Sequence, residues 1–170
     1  MTLLRQHQDL LRQSWAVYSD CERYRYTLRR EWGSGTGRVT FVMLNPSTAT
    51  EVQNDPTVER CERRARAMGF SGFQVVNIFA FRATDPADMR RADDPIGPEN
   101  DTAIGQAAAW ADRIICAWGT HGAHLGRGAQ VAQMLRGQGH VLHHLGLAKG
   151  GAPKHPLYIG YDVQPMIWRD

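Results

Sequence analysis

The sequence predicts an α/β fold, a parallel sheet with helices on both faces. Short apolar runs rich in β-formers recur at Arg38–Leu44, Phe73–Phe79, Arg113–Gly119 and His140–His144. Helical segments separate them, at Pro56–Met68, Glu99–Ala111 and about Gly126–Arg136. Continuous apolar runs of this length suit strands buried on both faces. Strands that alternate with helices assemble into parallel sheets.

In chain order, residues 1–20 read as a peripheral helical or irregular lead-in, with Leu3, Leu4, Leu10, Leu11 and Trp15 as packing contacts. Tyr24–Arg29 alternates and reads as a half-exposed strand, and Gly33–Gly37 as a flexible turn. The Arg38–Leu44 run then stops at Asn45-Pro46-Ser47-Thr48, which delivers its side chains to the carboxyl edge of the sheet. Open α/β folds keep their ligand crevices at that edge. An ordinary strand exit would use the same turn residues.

Asp55-Pro56 has the form of an N-cap followed by proline at the first helical position. The helix after it places Val58, Cys61, Ala65 and Met68 on one stripe. Arg60, Arg63, Arg64 and Arg66 fall mostly off that stripe, as a solvated face or as phosphate contacts. The Phe73–Phe79 run again carries an asparagine near its end, Asn77. Ala80–Pro98 reads as a long loop with at most one short helical turn, and loops of that length are often functional. The tail Lys149–Tyr158 is irregular, basic and rich in glycine and proline.

At 170 residues the chain reads as a single domain, with residues 1–22 as the lead-in and 23–160 as its core. Its 42% apolar and 22% charged composition excludes disordered and fibrous classes. No apolar run approaches the roughly 18 residues of a membrane span. The N-terminus lacks a signal-peptide layout, so a cytoplasmic protein with no membrane partner is expected. Three widely spaced cysteines, Cys21, Cys61 and Cys116, argue against a disulfide framework. A net charge of +3 permits a nucleic-acid partner without demanding one. Nothing in the pattern indicates the oligomeric state.

Five segments carry a resemblance: Met43–Ala49, Asn54–Thr57, Val76–Phe79, Ala117–Gly119 and Lys154–Tyr158. Together they resemble the signature of the domain-of-unknown-function family numbered 1643, over roughly residues 23 to 160. In the same order they also resemble the uracil-DNA glycosylase superfamily. Leu44-Asn45-Pro46 is similar to its Gly-Gln-Asp-Pro-Tyr or Gly-Ile-Asn-Pro-Gly motif. Asn77 matches its base-reading asparagine, Cys116–Gly122 its Leu-Leu-Trp-Gly-Ser-His-Ala strand, and His155-Pro156-Leu157-Tyr158 its last loop. The resemblance implies a three-layer α/β/α sandwich around a mainly parallel four-stranded sheet. It also implies a DNA glycosylase-like hydrolase of the DNA-repair kind.

Departures narrow the implied substrate. Asn45 stands where the fast uracil-excising members carry a water-activating aspartate, and Ser47 replaces tyrosine or glycine. The Ser-Pro-Leu-Ser continuation of the last motif is missing. A modified base, nucleoside or nucleotide is therefore implied in place of uracil in duplex DNA.

The chemistry assigns provisional roles. Breaking an N-glycosidic bond leaves cationic character on the sugar and negative charge on the departing base. Asn45 would place water through its carbonyl, and His155 would donate to the leaving base. Loss of such a donor typically costs about 3–4 kcal/mol of barrier. Asp55 is the alternative water activator, although N-capping explains it as well. Asn77, with a donor and an acceptor, would read an amide-like base edge. Ser47, Phe79 and Trp118 complete the expected base pocket, and Lys149 and Lys154 the phosphate contacts. Competing classes are a non-catalytic nucleotide or nucleic-acid binding module and a nucleoside N-glycosidase. No metal or cofactor is expected. His121-x-x-His124 and His140-x-x-His143-His144 lack a Cys or acidic ligand at the usual spacing, and three cysteines are too few for a four-cysteine cluster.

Overall fold

The computed structural model describes residues 1–170. Three antiparallel strands open the chain: β1 (Thr2–Gln8), β2 (Gln13–Ser19) and β3 (Arg25–Glu31). The lead-in is therefore neither helical nor irregular. Ser14, Ala16 and Tyr18 are buried while Trp15 and Val17 alternate with them, a period of two that builds a strand. Asp9 closes the hairpin by accepting the amides of Leu11 and Arg12 at 2.7 and 2.9 Å. Leu10 and Leu11 sit exposed at that turn, so the leucine pairs are not a helical stripe.

The remaining strands are β4 (Arg38–Met43), β5 (Gly72–Asn77), β6 (Arg113–Cys116), β7 (Leu142–His144) and β8 (Met166–Ile167). All eight form one sheet in the order β1-β2-β3-β5-β4-β6-β7-β8. Strands β5, β4, β6 and β7 run parallel, while β3 joins β5 and β8 joins β7 antiparallel. The expected four-stranded sheet is thus corrected to a mixed sheet of eight strands. The strand expected at Tyr24–Arg29 is β3; the alternation of apolar runs does not encode the β1–β2 hairpin or the short β8. The fourth run also shrinks, since pairing begins at Leu142 and not at His140.

Helix α1 (Pro56–Ala67) covers one face. Its Val58, Cys61 and Ala65 pack with Val39, Phe41, Met43, Phe73 and Val75. The opposite face carries α2 (Pro86–Arg91), α3 (Asn100–Trp110) and α4 (Arg127–Gly137). There Met89, Ile104, Ala107, Val131 and Leu135 pack with Val42, Val76, Ile114 and Cys116. Residues Val39 to Met43 are all buried, as a strand covered on both faces requires. The Ala80–Pro98 connection contains one short helix, α2, capped by Asp85 and started by Pro86. No helix is long and apolar enough to cross a membrane.

Candidate functional site

At the carboxyl edge of β4 and β5, Asn45, Ser47, Asp55, Asn77 and His155 line one cavity. Arg25, which sequence reasoning passed over, lines it too. The cavity measures about 40 Å³, room for roughly three waters.

Asn45 follows β4, and its Nδ2 donates to the carbonyls of Pro46 and Ala83 at 3.1 and 2.8 Å. Its side-chain oxygen accepts nothing from the protein, so the amide is anchored by its donor end and presents its acceptor. Asn77 ends β5 on the face shared by Phe73 and Val75. It is 2% exposed, and its Nδ2 has no hydrogen-bond partner. An unpaired buried amide donor costs about 1–3 kcal/mol, so this residue is held for something other than stability. Its backbone is fastened from behind. Asn100 Nδ2 donates to the Asn77 and Ile78 carbonyls, and Arg127 Nε to that of Ile78 at 2.7 Å.

His155 sits at the start of a 3₁₀ turn, where Nδ1 accepts the Leu157 amide at 3.3 Å. That contact leaves the proton of the neutral ring on Nε2. Burial pushes the imidazole below its usual range, against the opposing pull of Asp55. His155 is therefore a neutral Nε2–H donor at physiological pH. Asp55 caps α1 through the Val58 amide at 2.9 Å and takes the Ala49 amide at 3.1 Å. Both of its carboxylate oxygens hold backbone, so its charge serves the loop and the cavity's field. Ser47 contacts Thr84 through hydroxyls 3.3 Å apart.

Arg25 is 2% exposed and makes no salt bridge. One guanidinium nitrogen donates to the Ala49 carbonyl at 2.8 Å, and Nε has no acceptor. Burial lowers it to about 10, with Asp55 the largest opposing influence, so it remains a cation. The pairing of β2 with β3 shifts register at Val17/Tyr18, skipping Tyr26 and setting Arg25 opposite Tyr18. That bulge turns Arg25 onto the α1 face.

Four expected site residues stand elsewhere. Phe79 is fully buried in the α3/α4 core, 5.6 Å from the His124 ring. Trp118 is 3% exposed and meets Trp168 edge-on at 5.5 Å. It sinks into that core because Gly122 and Gly128 leave it room; a Cβ at Gly122 would stand 2.2 Å from its ring. Aromatics at strand ends that were expected to stack on a base are thus core. Lys149 and Lys154 are exposed and outside the cavity lining.

Two of the four helix arginines, Arg60 and Arg64, depart from the solvated face expected of them, while Arg63 and Arg66 are exposed. Arg60 donates to the carbonyls of Pro156 and Ile159, and Arg64 to those of Ile159, Gly160 and Val163. Arg63 and Arg66 pair with Glu59 and Glu62. Two of the four therefore tie down the segment that carries His155. No group of three or more His, Cys, Asp or Glu side chains is placed to hold a metal ion.

Fold and cavity define an α/β protein with a buried polar site at the carboxyl edge of its parallel strands. A family model described as "Protein of unknown function (DUF1643)" matches residues 25–157, and the chain belongs to that family. No curated protein and no solved structure matches the chain.

Proposed function

We propose that the chain is a glycosylase-like hydrolase acting at the N-glycosidic bond of a modified base. The observation that carries this reading is the unpartnered buried amide of Asn77, a residue that lines the same cavity as Asn45 and His155. A base edge offering an acceptor beside a donor would satisfy Asn77. A cavity of about 40 Å³ must widen to admit that edge. The His155 Nε2–H and the Arg25 cation then meet negative charge as the base departs, where fixed donors act most strongly. Asn45 would hold water by its oxygen for a cleavage that is already dissociative. The resemblance of Leu44-Asn45-Pro46 and His155-Pro156 to the uracil-DNA glycosylase superfamily agrees with these roles.

A second reading is favoured by Asp55. With both of its oxygens on backbone amides and Asn45 no base, the cavity holds no free general base. A binding module for a nucleotide or nucleic acid would need none. The ties of Arg60 and Arg64 also remove cations expected to grip DNA, which favours a nucleoside-sized substrate.

Mass spectrometry of base released from DNA carrying varied modified bases, and from the matching nucleosides, tests the proposal. Asn45→Ala should abolish release and leave affinity nearly intact. Asn77→Ala should weaken binding, and His155→Ala should slow release by roughly two to three orders of magnitude. Tight binding without release would sink the enzyme reading and leave the binder.

A further inference from the structure

On the opposite face of the sheet, where β1–β3 extend beyond α3, lies a cleft of about 750 Å³. One row of partners crosses its floor: Gln6 faces Trp15, Trp15 faces Arg29, and Arg29 faces Gln74. The C-terminal turn of α3 adds Gln106 and Trp110 as a wall. The Arg29 guanidinium carbon lies 4.4 Å from the Trp15 ring centre and 5.6 Å from that of Trp110. Arg29 has no carboxylate partner, and its Nε is sealed without an acceptor. Gln74 is 7% exposed, and its amide makes no hydrogen bond to the protein.

These features call for one kind of occupant. A guanidinium beside two indoles and without a carboxylate partner is prepared, through its terminal nitrogens, for an anion. Trp15 and Trp110 line the cleft beside Arg29 and supply indole surface for a planar ring, with Arg38 5.1 Å from the Trp110 ring centre. The Gln74 amide offers a donor and an acceptor to a polar ring edge. The volume is that of a small-molecule site, too large for an inorganic anion alone. We propose that this cleft binds a nucleoside monophosphate, its phosphate on Arg29, its base against an indole and its base edge at Gln74. The site is separate from the Asn45–Asn77 cavity and does not depend on what that cavity does.

Calorimetric titration of the whole chain with adenosine and uridine monophosphates, the parent nucleosides and indole-3-carboxylate tests this. The monophosphates should bind, at least tenfold tighter than the nucleosides and the indole acid. Arg29→Gln should erase the phosphate advantage, Arg29→Lys should keep part of it, and Trp110→Leu, on an outer helix face, should weaken every ligand. The phosphate advantage lost in Arg29→Gln should be lost equally in an Asn77→Ala background, because the two sites are separate. Absence of monophosphate binding would overturn the proposal. So would binding that survives both Arg29→Gln and Trp110→Leu, equal affinity for the indole acid, or a ligand-free dimer that buries Trp15 and Trp110.

Discussion

The candidate site stands between two loops, and arginines hold each of them by backbone carbonyls. The loop after β4 is held from β3. Arg30 Nη2 donates to Thr50 and Gln53 carbonyls at 2.8 and 3.2 Å, and its Nε to Asn54 at 2.9 Å. Arg30 is fully buried, with Glu62 3.8 Å away. The His155 segment is held from α1 by Arg60 and Arg64, over which Tyr161 closes at 4.7 and 5.6 Å. No acid pairs with those two, and much of the segment they hold is solvent-accessible. The difference teaches where the site can yield. The Asn45 side is tied to the sheet by a buried arginine with an acid beside it, whereas the His155 side is tied to α1 by buried Arg64 and half-buried Arg60 with no acid. A 40 Å³ cavity that must admit a base edge would open on the latter side.

Four measurements break or sharpen that contrast. The largest effect is expected for Arg30→Ala, which strands the Thr50 and Gln53 carbonyls and the Asn54 side chain at once, while Glu62 keeps Arg12 and Arg66. Urea unfolding should show a loss of about 3–5 kcal/mol, the scale of several hydrogen bonds from one buried charged donor. A loss similar to that of Arg60→Ala would erase the distinction between the two clamps. Arg60→Ala should cost about 1–2 kcal/mol, the scale of hydrogen bonds from a charged donor. Amide exchange should accelerate at residues 157–161 and stay slow at 49–54.

Asn77→Leu should move stability the other way. It removes a buried donor that has no partner, so a gain of about 1 kcal/mol is expected by chemical denaturation, together with loss of ligand binding. A stability loss would mean that the native amide is paired. The smallest effect is a pH dependence. Burial holds His155 below its usual value of about 6.5, so its folded state favours the neutral ring. The associated stability is fully present above about pH 6.5 and is lost as pH falls through the lowered folded value. His155→Asn keeps an acceptor for the Leu157 amide without a titrating ring. Its stability should decline less than wild type between pH 7.5 and 5, measured by thermal unfolding. Parallel declines would place the effect on His143 and His144, which burial also lowers.

Much of this was readable in the residues, and the exceptions have physical causes. Asn45, Asn77 and Asp55 are polar side chains at the ends of apolar runs or at a helix start, and strand direction alone brings them to one edge. Arg25 was not legible, because simple alternation along β3 puts it on the face opposite Arg30. One bulged residue, Tyr26, reverses that. Phe79 and Trp118 look the same in sequence whether they stack on a ligand or fill a core. The deciding information for Trp118 lay in Gly122 and Gly128, whose missing side chains make its berth. The Arg60 and Arg64 contacts span 95 to 99 residues, and nothing local to α1 announces them.

Those long spans also set an order in time. The β1–β2 hairpin closes over a turn of four residues, Asp9 to Arg12, and can form as soon as that stretch of chain exists. Arg60 must wait for Pro156, 96 residues later, and contacts that distant in sequence form slowly. In refolding, secondary structure and the Trp15 environment should therefore recover before any activity that needs His155. During synthesis the cavity stays unfinished until the His155 segment has left the ribosome, because the residues that complete it lie about a hundred positions after Asn45 and Asp55.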